Sequence, residues 1–256
     1  MTRTTSTKPY RWLAQYYDDF FSSLRNPLEV ARERLLRRIL PGVETACDLA
    51  CGTGTTAITL ARKGIKVYAV DHSPLMCRIA RDKIARSHLP VRVIEADMRT
   101  FRLPETVDLI TCEYDAINHV PRKSDLRSVA KSVARALRPG GHFYFDVNNS
   151  RGFSRYWTGT FWLEKPGVVL AMRNGHNRNA DRAWSDVEWF IRDGRNCWRR
   201  RQERVEEVCW PSGEISSVLE ESGFDQLRTW DAAPFFKDSL MGPGCRSIYL
   251  VRKSGS

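Results

Sequence analysis

Residues 48–61, DLACGTGTTAITLA, end an apolar run with two glycines two positions apart and then continue as a helical segment. Gly52, Gly54 and Ala57 satisfy the G-x-G-x-x-A spacing of a turn that binds a dinucleotide phosphate. The spacing alone therefore does not decide whether this turn holds a phosphate or another ligand. The residues around the turn have to decide it.

Apolar segments typical of buried strands alternate with helical segments around this turn. After a first strand at residues 45–50, strands are predicted at residues 66–71, 91–97, 107–114 and 142–148. Helices are predicted at residues 73–87, with Ser73 as the cap, and at residues 124–137. This pattern predicts an α/β fold with a mostly parallel sheet covered by helices on both faces. Right-handed connections bring the carboxyl ends of the strands to one edge, where such sheets bind ligands.

Two helices are predicted before the first strand. An aromatic segment at residues 10–24 forms the first, and the second begins with Asn26 as cap and Pro27 at the first helical position. The polar residues 1–9 predict a frayed tail without a secretory signal.

Acidic side chains follow three of the predicted strands. Asp48 ends an apolar strand, where a carboxylate is costly to ionise without a cation or several donors, and it would repel a pyrophosphate but attract an ammonium group. Asp71 falls 17 residues after Gly54, which suits a carboxylate that accepts from a ribose diol. Asp97, followed by Met98, suits an adenine ring, with the carboxylate accepting from its amino group. Together they favour a bound adenosine that also carries an ammonium group.

Four motifs in order, DLACGTG, VYAVDHS, EADM and LRPGG, resemble those of class I S-adenosylmethionine-dependent methyltransferases over about residues 40–150. The resemblance implies a Rossmann-like fold, a seven-stranded sheet of order 3-2-1-4-5-7-6, and conversion of S-adenosylmethionine to S-adenosylhomocysteine. One departure is Ala50, which stands where the family often has its first glycine. The cofactor-binding residues that the resemblance implies are Tyr17, Asp48, Ala50, Cys51, Gly52, Gly54, Asp71, His72, Met76, Asp97, Met98, Glu113 and Tyr114.

The stretch TCEYDAINHVP at residues 111–121 is similar to that of small-molecule methyltransferases acting on glycine or on the amino group of deoxysugars. By that resemblance His119 faces the acceptor, and as a catalytic base it could take the proton that an amine must lose. A histidine bonded only to backbone groups is the alternative. Asp115, Asn118 and Asn148 are the predicted substrate residues, although Asp115 and Asn118 could equally form local turn bonds.

The segment AQYYDDFF at residues 14–21 resembles the lid of these enzymes, in which a tyrosine closes over the methyl donor. Tyr17 is the best match and is predicted as a second catalytic residue, with Tyr16 next. A ring face near a sulfonium is physically favourable. For most aromatic residues of this segment, packing on the core is the alternative.

Residues 151–210 lack the alternation of strands and helices, and they predict a small antiparallel β insertion with a two-residue hairpin turn at Asp193-Gly194. This insertion either crosses the crevice or pairs two subunits as a homodimer. A helix capped by Ser212 and two closing strands are predicted in residues 211–256. The whole chain is then a single domain, with a helical lid at 1–40 and a cofactor-binding core at 41–150.

The chain has 256 residues, a hydrophobic content of 42% and a formal net charge of +11, which suit a soluble globular protein and favour acidic partners in general. No apolar stretch is long enough for a membrane span. Seven cysteines without a C-x-x-C pair argue against a disulfide framework or a metal site and for the cytoplasm.

Arginines are concentrated in the insertion and alternate with Trp189 and Trp198. They are Arg192, Arg195, Arg199, Arg200, Arg201 and Arg204. We expect a solvated sheet face whose charge is balanced by Glu203, Glu206 and Glu207, because the arginines divide between both faces of a strand. A platform for RNA or for an anionic acceptor is the alternative.

The preferred prediction is therefore a small-molecule methyltransferase with an amine acceptor slightly ahead of a hydroxyl acceptor. A nucleic-acid methyltransferase is less favoured, because EYDAINH at residues 113–119 lacks the N-P-P-Y type tetrad of enzymes that methylate base amino groups. A cofactor-binding protein without activity is the third hypothesis.

Overall fold

A computed structural model describes residue 10 and residues 12–195, 197–236 and 242–255, with only the backbone described at residues 22–26. The predicted tail at residues 1–9 lies outside these residues. The described strands are β1 (Thr45–Leu49), β2 (Lys66–Asp71), β3 (Val91–Glu95), β4 (Val107–Cys112), β5 (Leu137–Asn148), β6 (Gly159–Lys165), β7 (Val168–Asn177), β8 (Arg182–Arg192), β9 (Trp198–Val208), β10 (Phe224–Asp231) and β11 (Arg246–Lys253). The described α-helices are α1 (Leu13–Leu35), α2 (Thr55–Ala61), α3 (Pro74–Ala85), α4 (Lys123–Ala136), α5 (Ser150–Tyr156) and α6 (Ser212–Glu221).

The central sheet has seven strands in the order β3-β2-β1-β4-β5-β11-β10. β1 to β5 are parallel, whereas β11 runs antiparallel to β5 and β10 antiparallel to β11. With β11 and β10 as the seventh and sixth strands, this is the predicted order 3-2-1-4-5-7-6. The fold prediction is confirmed. β1 is the middle one of the five parallel strands, between β2 and β4, and the ends of these three strands meet at one edge.

Two apolar clusters cover the two faces of this sheet. On one face α4 buries Leu126, Val129, Ala130 and Val133, which recur at helical spacing. On the other face the second half of α1 and α2 pack against β1 and β2 through Leu28, Ala31 and Leu60, among others. The helical periodicity in the sequence thus reports directly on burial.

Helix α1 is one continuous helix with Pro27 inside it, so the prediction of two helices with a cap at Asn26 was wrong. Proline removes one backbone hydrogen bond from a helix. Leu28 and Ala31 just beyond it are fully buried, and their packing holds the helix together across the proline. The Ser212 prediction was also wrong, because Ser212 is the first residue of α6 and no side-chain cap precedes it.

A second, antiparallel sheet of order β6-β7-β8-β9 lies between β5 and α6 in the chain. Its β8–β9 hairpin turns at the predicted place, but Arg192 pairs with Trp198, so the loop contains residues 193–197 and is not a two-residue turn. This sheet packs on the first part of α1: Trp189 stacks on Tyr16 with ring centroids 5.6 Å apart. Within the described residues, no helix has both the length and the apolarity needed to cross a membrane.

Candidate active site

The glycine turn that follows β1 is built from residues in the left-handed backbone region. Ala50, Gly52 and Gly54 have φ angles of 57°, 53° and 80°. A Cβ atom on Gly54 would lie 3.2 Å from the Cβ of Ala80, so Gly54 allows α3 to pack closely. A Cβ atom on Gly52 would meet nothing within 4 Å, which shows open space in front of the turn. The two glycines therefore differ in their surroundings: Gly54 packs against α3, and Gly52 faces open space.

Asp71, at the end of β2, is tied to this turn. One carboxylate oxygen accepts from the backbone N–H of Gly52 and the other from that of Ser73, each at 2.8 Å. Burial raises the pKa of Asp71, and these two hydrogen bonds oppose that shift. Each oxygen keeps a second lone pair for a further donor. Next to it His72 is exposed, while Met76 is buried in the first turn of α3.

Asp48, at the end of β1, is only 2% exposed. Its carboxylate accepts from the backbone N–H of Ala57 at 2.9 Å and from the hydroxyl of Thr111 at 3.2 Å. Burial raises the pKa of Asp48 to about 7, with a further contribution from the nearby Glu113, while Arg32 acts in the opposite direction. The structure therefore places Asp48 beneath the turn, bonded to α2 and β4.

Arg32 and Glu113 form an ion pair that sequence reasoning missed, since no local pattern links residues 81 positions apart. The Nη1–Oε2 distance is 2.5 Å, and both side chains are almost fully buried beside Thr56 in the first turn of α2. Among the described residues, Nε and Nη2 of Arg32 and Oε1 of Glu113 have no hydrogen-bond partner. Buried charged groups normally have their hydrogen bonds satisfied, so a donor and an acceptor are available here for a bound molecule.

Asp97, two residues after the end of β3, has a partner that the sequence did not indicate. Its carboxylate accepts from the backbone N–H and the guanidinium of Arg99, at 2.8 Å and 2.5–3.0 Å. These hydrogen bonds lower the pKa of Asp97. Met98 and Ala50 are partly buried against the apolar cluster on the α4 face of the central sheet. Cys51 packs against the cluster on the opposite face, which includes residues of α1 and α2.

The residues after β4 adopt a strained backbone. Tyr114 and Asp115 are non-glycine residues with φ angles of 62° and 53°. Asp146 of β5 accepts from both of their backbone N–H groups, at 2.8 and 3.0 Å. Arg246 of β11 then bridges the two carboxylates, 2.6 Å from Asp115 and 2.9 Å from Asp146. Such strain persists only where the surroundings over-determine it, and it is typical of functional sites.

His119 ends a 3-10 turn, residues 116–119, directly after this strained segment. Nδ1 lies 3.1 Å from the carbonyl oxygen of Glu206, which can only accept, so Nδ1 carries the proton and Nε2 has a lone pair. The hydroxyl of Tyr10 donates to Nε2 at 2.7 Å. Burial lowers the pKa of His119, which keeps the imidazole neutral, and burial also raises the pKa of Tyr10, which keeps its hydroxyl protonated. The sequence did not indicate this hydrogen bond of Tyr10, because 109 positions separate the tyrosine from His119.

The two predicted asparagines differ in what they offer. Asn118 is fully buried and uses its whole amide on backbone groups: it donates to Asn148 and Val208 and accepts from Asn148, all at 2.8–2.9 Å. It holds the 3-10 turn to β5 and β9. The side chain of Asn148 instead donates to the carboxylate of Asp115 at 2.5 Å. Asn148 and Asp115 thus lie together, beside Arg246.

Helix α1 covers the glycine turn. Asp18 accepts from the hydroxyl of Thr53 and from Nζ of Lys83, each at 2.7 Å, and Lys83 also reaches Thr55 at 3.0 Å. Tyr17 next to it packs against Phe21, with ring centroids 5.4 Å apart, and lies close enough to Tyr10 to raise its pKa further. We call Asp18, Lys83 and Thr53 the lid latch.

Three of the six arginines named above for the insertion form ion pairs with carboxylates. Arg199 pairs with Asp193, Arg200 with Glu188 at 2.8 Å, and Arg204 with Asp186 at 2.9 Å and Glu206 at 3.0 Å. Of the three glutamates expected to balance this charge, Glu206 pairs with Arg204. Glu203 and Glu207 are buried on the inner face of β9.

The chain is similar to known methyltransferases. Residues 46–141 match the family model described as a methyltransferase domain. YqeM of Bacillus subtilis (strain 168), named as a methyltransferase, is 28% identical over 247 residues, which are 96% of this chain and 97% of that protein. The dTDP-4-amino-2,3,4,6-tetradeoxy-D-glucose N,N-dimethyltransferase of Saccharopolyspora spinosa is 33% identical over 108 residues, 42% of each chain. The crystal structure of an S-adenosylmethionine-dependent methyltransferase from Clostridium acetobutylicum ATCC 824 matches with a TM-score of 0.78 and 25% identity, covering 96% of this chain and 99% of that one.

Proposed function

We propose that the chain is an S-adenosylmethionine-dependent methyltransferase of the small-molecule type, which its similarity to methyltransferases supports, and that the atom it methylates is an amine nitrogen. The observation that carries the proposal is His119, a neutral imidazole whose Nε2 has a lone pair and accepts from the hydroxyl of Tyr10. A protonated amine cannot attack a methyl group, so an amine acceptor needs a group that removes its proton. The similarity to an amino-sugar dimethyltransferase supports the same acceptor class.

The residues at the ends of β1, β2 and β4 fit S-adenosylmethionine. The open space in front of Gly52 and the free lone pairs of Asp71 suit the adenosine, and Met98 offers an apolar side chain. The unpartnered Nη2 of Arg32 and Oε1 of Glu113 match the carboxylate and the ammonium group at the amino-acid end. When bound, the cofactor supplies a methyl group on a positively charged sulfur. We assign Asp48 to holding the turn through its bonds to Ala57 and Thr111. We assign Asp97 to the amino group of the adenine, for which it would give up part of its hydrogen bonding with Arg99.

The catalytic work of the protein is then positioning and proton removal. Methyl transfer is an in-line displacement, so a fixed geometry contributes much of the acceleration. Tyr10 occupies Nε2 in this structure, and its hydroxyl has to shift for Nε2 to accept the acceptor's proton. Asp115 and Asn148, which hydrogen-bond to each other beside this site, are placed to orient the acceptor. Tyr17 lies on α1, the helix that would cover the bound cofactor.

The same base would serve a hydroxyl acceptor, which is the alternative reaction. The charges near His119 favour the amine, because Arg246 is already paired with two carboxylates and offers little to an anionic acceptor. The paired arginines of the insertion likewise give no support to a nucleic-acid substrate.

The test is a panel of amines and their matched alcohols, with release of S-adenosylhomocysteine as the readout. We expect turnover with a subset of the amines and none with the corresponding alcohols. Turnover with alcohols alone would reverse the assignment. Turnover with transfer RNA, falling steeply with salt, would revive the nucleic-acid alternative.

The β insertion also supports the predicted homodimer. β6 is an edge strand that exposes Phe161, Trp162 and Leu163, with Trp162 65% exposed. Exposed apolar edge strands tend to pair with another chain. Light scattering should report twice the monomer mass, and Trp162→Lys should convert the protein to monomers. A cytoplasmic location is also proposed, since all seven cysteines are free thiols.

A further inference from the structure

Glu207, near the end of β9, brings a carboxylate of the insertion to the acceptor side of the crevice. Side chains alternate along β9, so that Arg204 and Glu206 face solvent while Glu203, Val205 and Glu207 face inward. The side chain of Glu207 is only 4% exposed, and Oε1 lies 3.9 Å from Nε2 of His119. The carboxylate is thus beside the nitrogen to which we assign proton removal.

One oxygen of this carboxylate has no hydrogen-bond partner. Oε2 of Glu207 is fully buried and is bonded to none of the described residues. A buried carboxylate oxygen without a donor costs free energy, and buried polar groups in native proteins almost always have one. A molecule that brings a donor to this oxygen would remove that cost.

The local charge indicates what kind of donor fits. Three carboxylates, those of Asp115, Asp146 and Glu207, are grouped around the single guanidinium of Arg246. His119 adds no charge while it is neutral. Burial and the neighbouring Asp115 raise the pKa of Glu207, whereas Arg246, which is shared with two other carboxylates, and Asn148 oppose that shift. Geometry and charge agree that this position suits a positively charged donor.

We propose that Glu207 is a specificity residue of the acceptor site, binding the protonated amine of the acceptor through Oε2 and so selecting amines over alcohols. This inference rests on the proposed function. An ammonium group held by Glu207 lies next to Nε2 of His119. Its N–H bond breaks as the Nε2–H bond forms, and the electron pair stays on the amine nitrogen, which can then attack the methyl group. Imidazolium is the other product of this step, and the Glu207 carboxylate stabilises it.

Sinefungin is a suitable probe, because it carries an ammonium-bearing carbon where S-adenosylmethionine has its methylated sulfur. Calorimetry would compare sinefungin with S-adenosylhomocysteine, which lacks that charge. We expect the wild type to bind sinefungin at least tenfold more tightly. Glu207→Gln should remove most of this preference while its affinity for S-adenosylhomocysteine stays within twofold. The matched control is Glu188→Gln, which removes a carboxylate from the outer face of the same sheet, where it pairs with Arg200, and should change neither affinity.

The outcomes separate the two proposals. If the wild type binds neither compound, the cofactor site and the proposed function fail together. If both bind but Glu207→Gln keeps the preference, or loses both affinities equally, Glu207 is not a specificity residue and the proposed function stands. Should Glu207→Gln not fold, Glu207→Asp serves instead. This variant keeps the charge but moves it back by one methylene group. It must lower the affinity for sinefungin more than the affinity for S-adenosylhomocysteine, or the inference fails.

Discussion

The backbone N–H of Leu13 donates to Oε1 of Glu203 at 2.9 Å, so a residue of β9 caps the amino terminus of α1. α1 has no side-chain cap of its own. The indole of Trp189 donates to the same oxygen at 2.8 Å, and Glu203 is buried between the helix and the second sheet. A carboxylate at this position also interacts favourably with the helix dipole. The insertion and the first part of α1 are therefore one structural unit.

Glu203→Gln should weaken this unit. The amide keeps the shape of the side chain but loses the charge and one acceptor, and we expect the free energy of unfolding to fall by about 1–2 kcal/mol. Hydrogen exchange in the first turns of α1 should accelerate more than in α4. The control is Glu206→Gln on the outer face, where loss of the exposed pair with Arg204 should cost less than about 0.5 kcal/mol. Equal effects of the two variants would show that the cap contributes nothing.

The lid latch gives a second prediction, on ligand release. Asp18→Asn removes the charge that holds Lys83 and weakens the bond to Thr53 of the glycine turn. We expect S-adenosylhomocysteine to dissociate about three- to tenfold faster, since each 1.4 kcal/mol corresponds to a factor of about 10. Glu33→Gln is the matched control, because it breaks an exposed ion pair between α1 and Lys63 away from the turn. Unchanged release from Asp18→Asn in stopped-flow measurements would mean that α1 does not retain the ligand.

The central sheet could be predicted because its signals are local. Leu126, Val129 and Val133 mark the buried face of α4 within one helix. The glycine turn is recognisable from the seven residues 48–54 alone. Glu203 and Glu207 illustrate the opposite case. Strand alternation separates them from Arg204 and Glu206, but only packing against α1 and the 116–119 turn decides which set faces inward.

The same limit applies to the site. Asp71 could be identified from its distance to Gly54 along the chain, and the structure places it against Gly52. Arg32, Tyr10 and Arg246 meet their partners across 81, 109 and 131 positions. No periodic pattern connects residues so far apart, so these contacts emerge only when the strands and α1 assemble.

Asp71→Ala gives a third prediction, on cofactor affinity. It removes both the free lone pairs assigned to the ribose and the acceptor that holds the N–H of Gly52. We expect the affinity for S-adenosylhomocysteine to fall at least about tenfold, or about 1.4 kcal/mol, by calorimetry. Full affinity in this variant would remove the ribose assignment.

Asp48→Asn tests the buried carboxylate through pH. The pKa of Asp48 is raised to about 7 in the folded protein, so the folded state prefers the protonated form and loses stability as pH rises from about 4 through 7. The asparagine variant does not lose this stability, because its side chain does not titrate. Its free energy of unfolding relative to wild type should therefore rise by about 2 kcal/mol between pH 5 and pH 8. Urea denaturation at the two pH values measures it, and a difference independent of pH would show that the carboxylate does not titrate in this range.

His119→Gln should slow turnover of the amine acceptor by about 10²–10⁴-fold, the usual contribution of a general base. Because the hydrogen bonds of His119 go to Tyr10 and to the backbone of Glu206, we expect the affinity for S-adenosylhomocysteine to stay unchanged. His142→Gln, in the middle of β5, is the control and should leave turnover intact. If His119→Gln turns over at the wild-type rate, another group removes the proton or none is needed.

The pH dependence of stability checks the protonation state on which this role depends. Burial lowers the pKa of His119, so the fold favours the neutral ring. Its contribution to stability is complete above the ordinary pKa of about 6.5 and is lost as pH falls from there through the lowered folded value. Wild type should therefore lose about 1 kcal/mol more than His119→Gln between pH 7.5 and pH 5.5. Stabilisation of the wild type on acidification would instead mean that Glu207 and Asp115 hold the ring protonated, and a charged imidazole could not accept a proton from the acceptor.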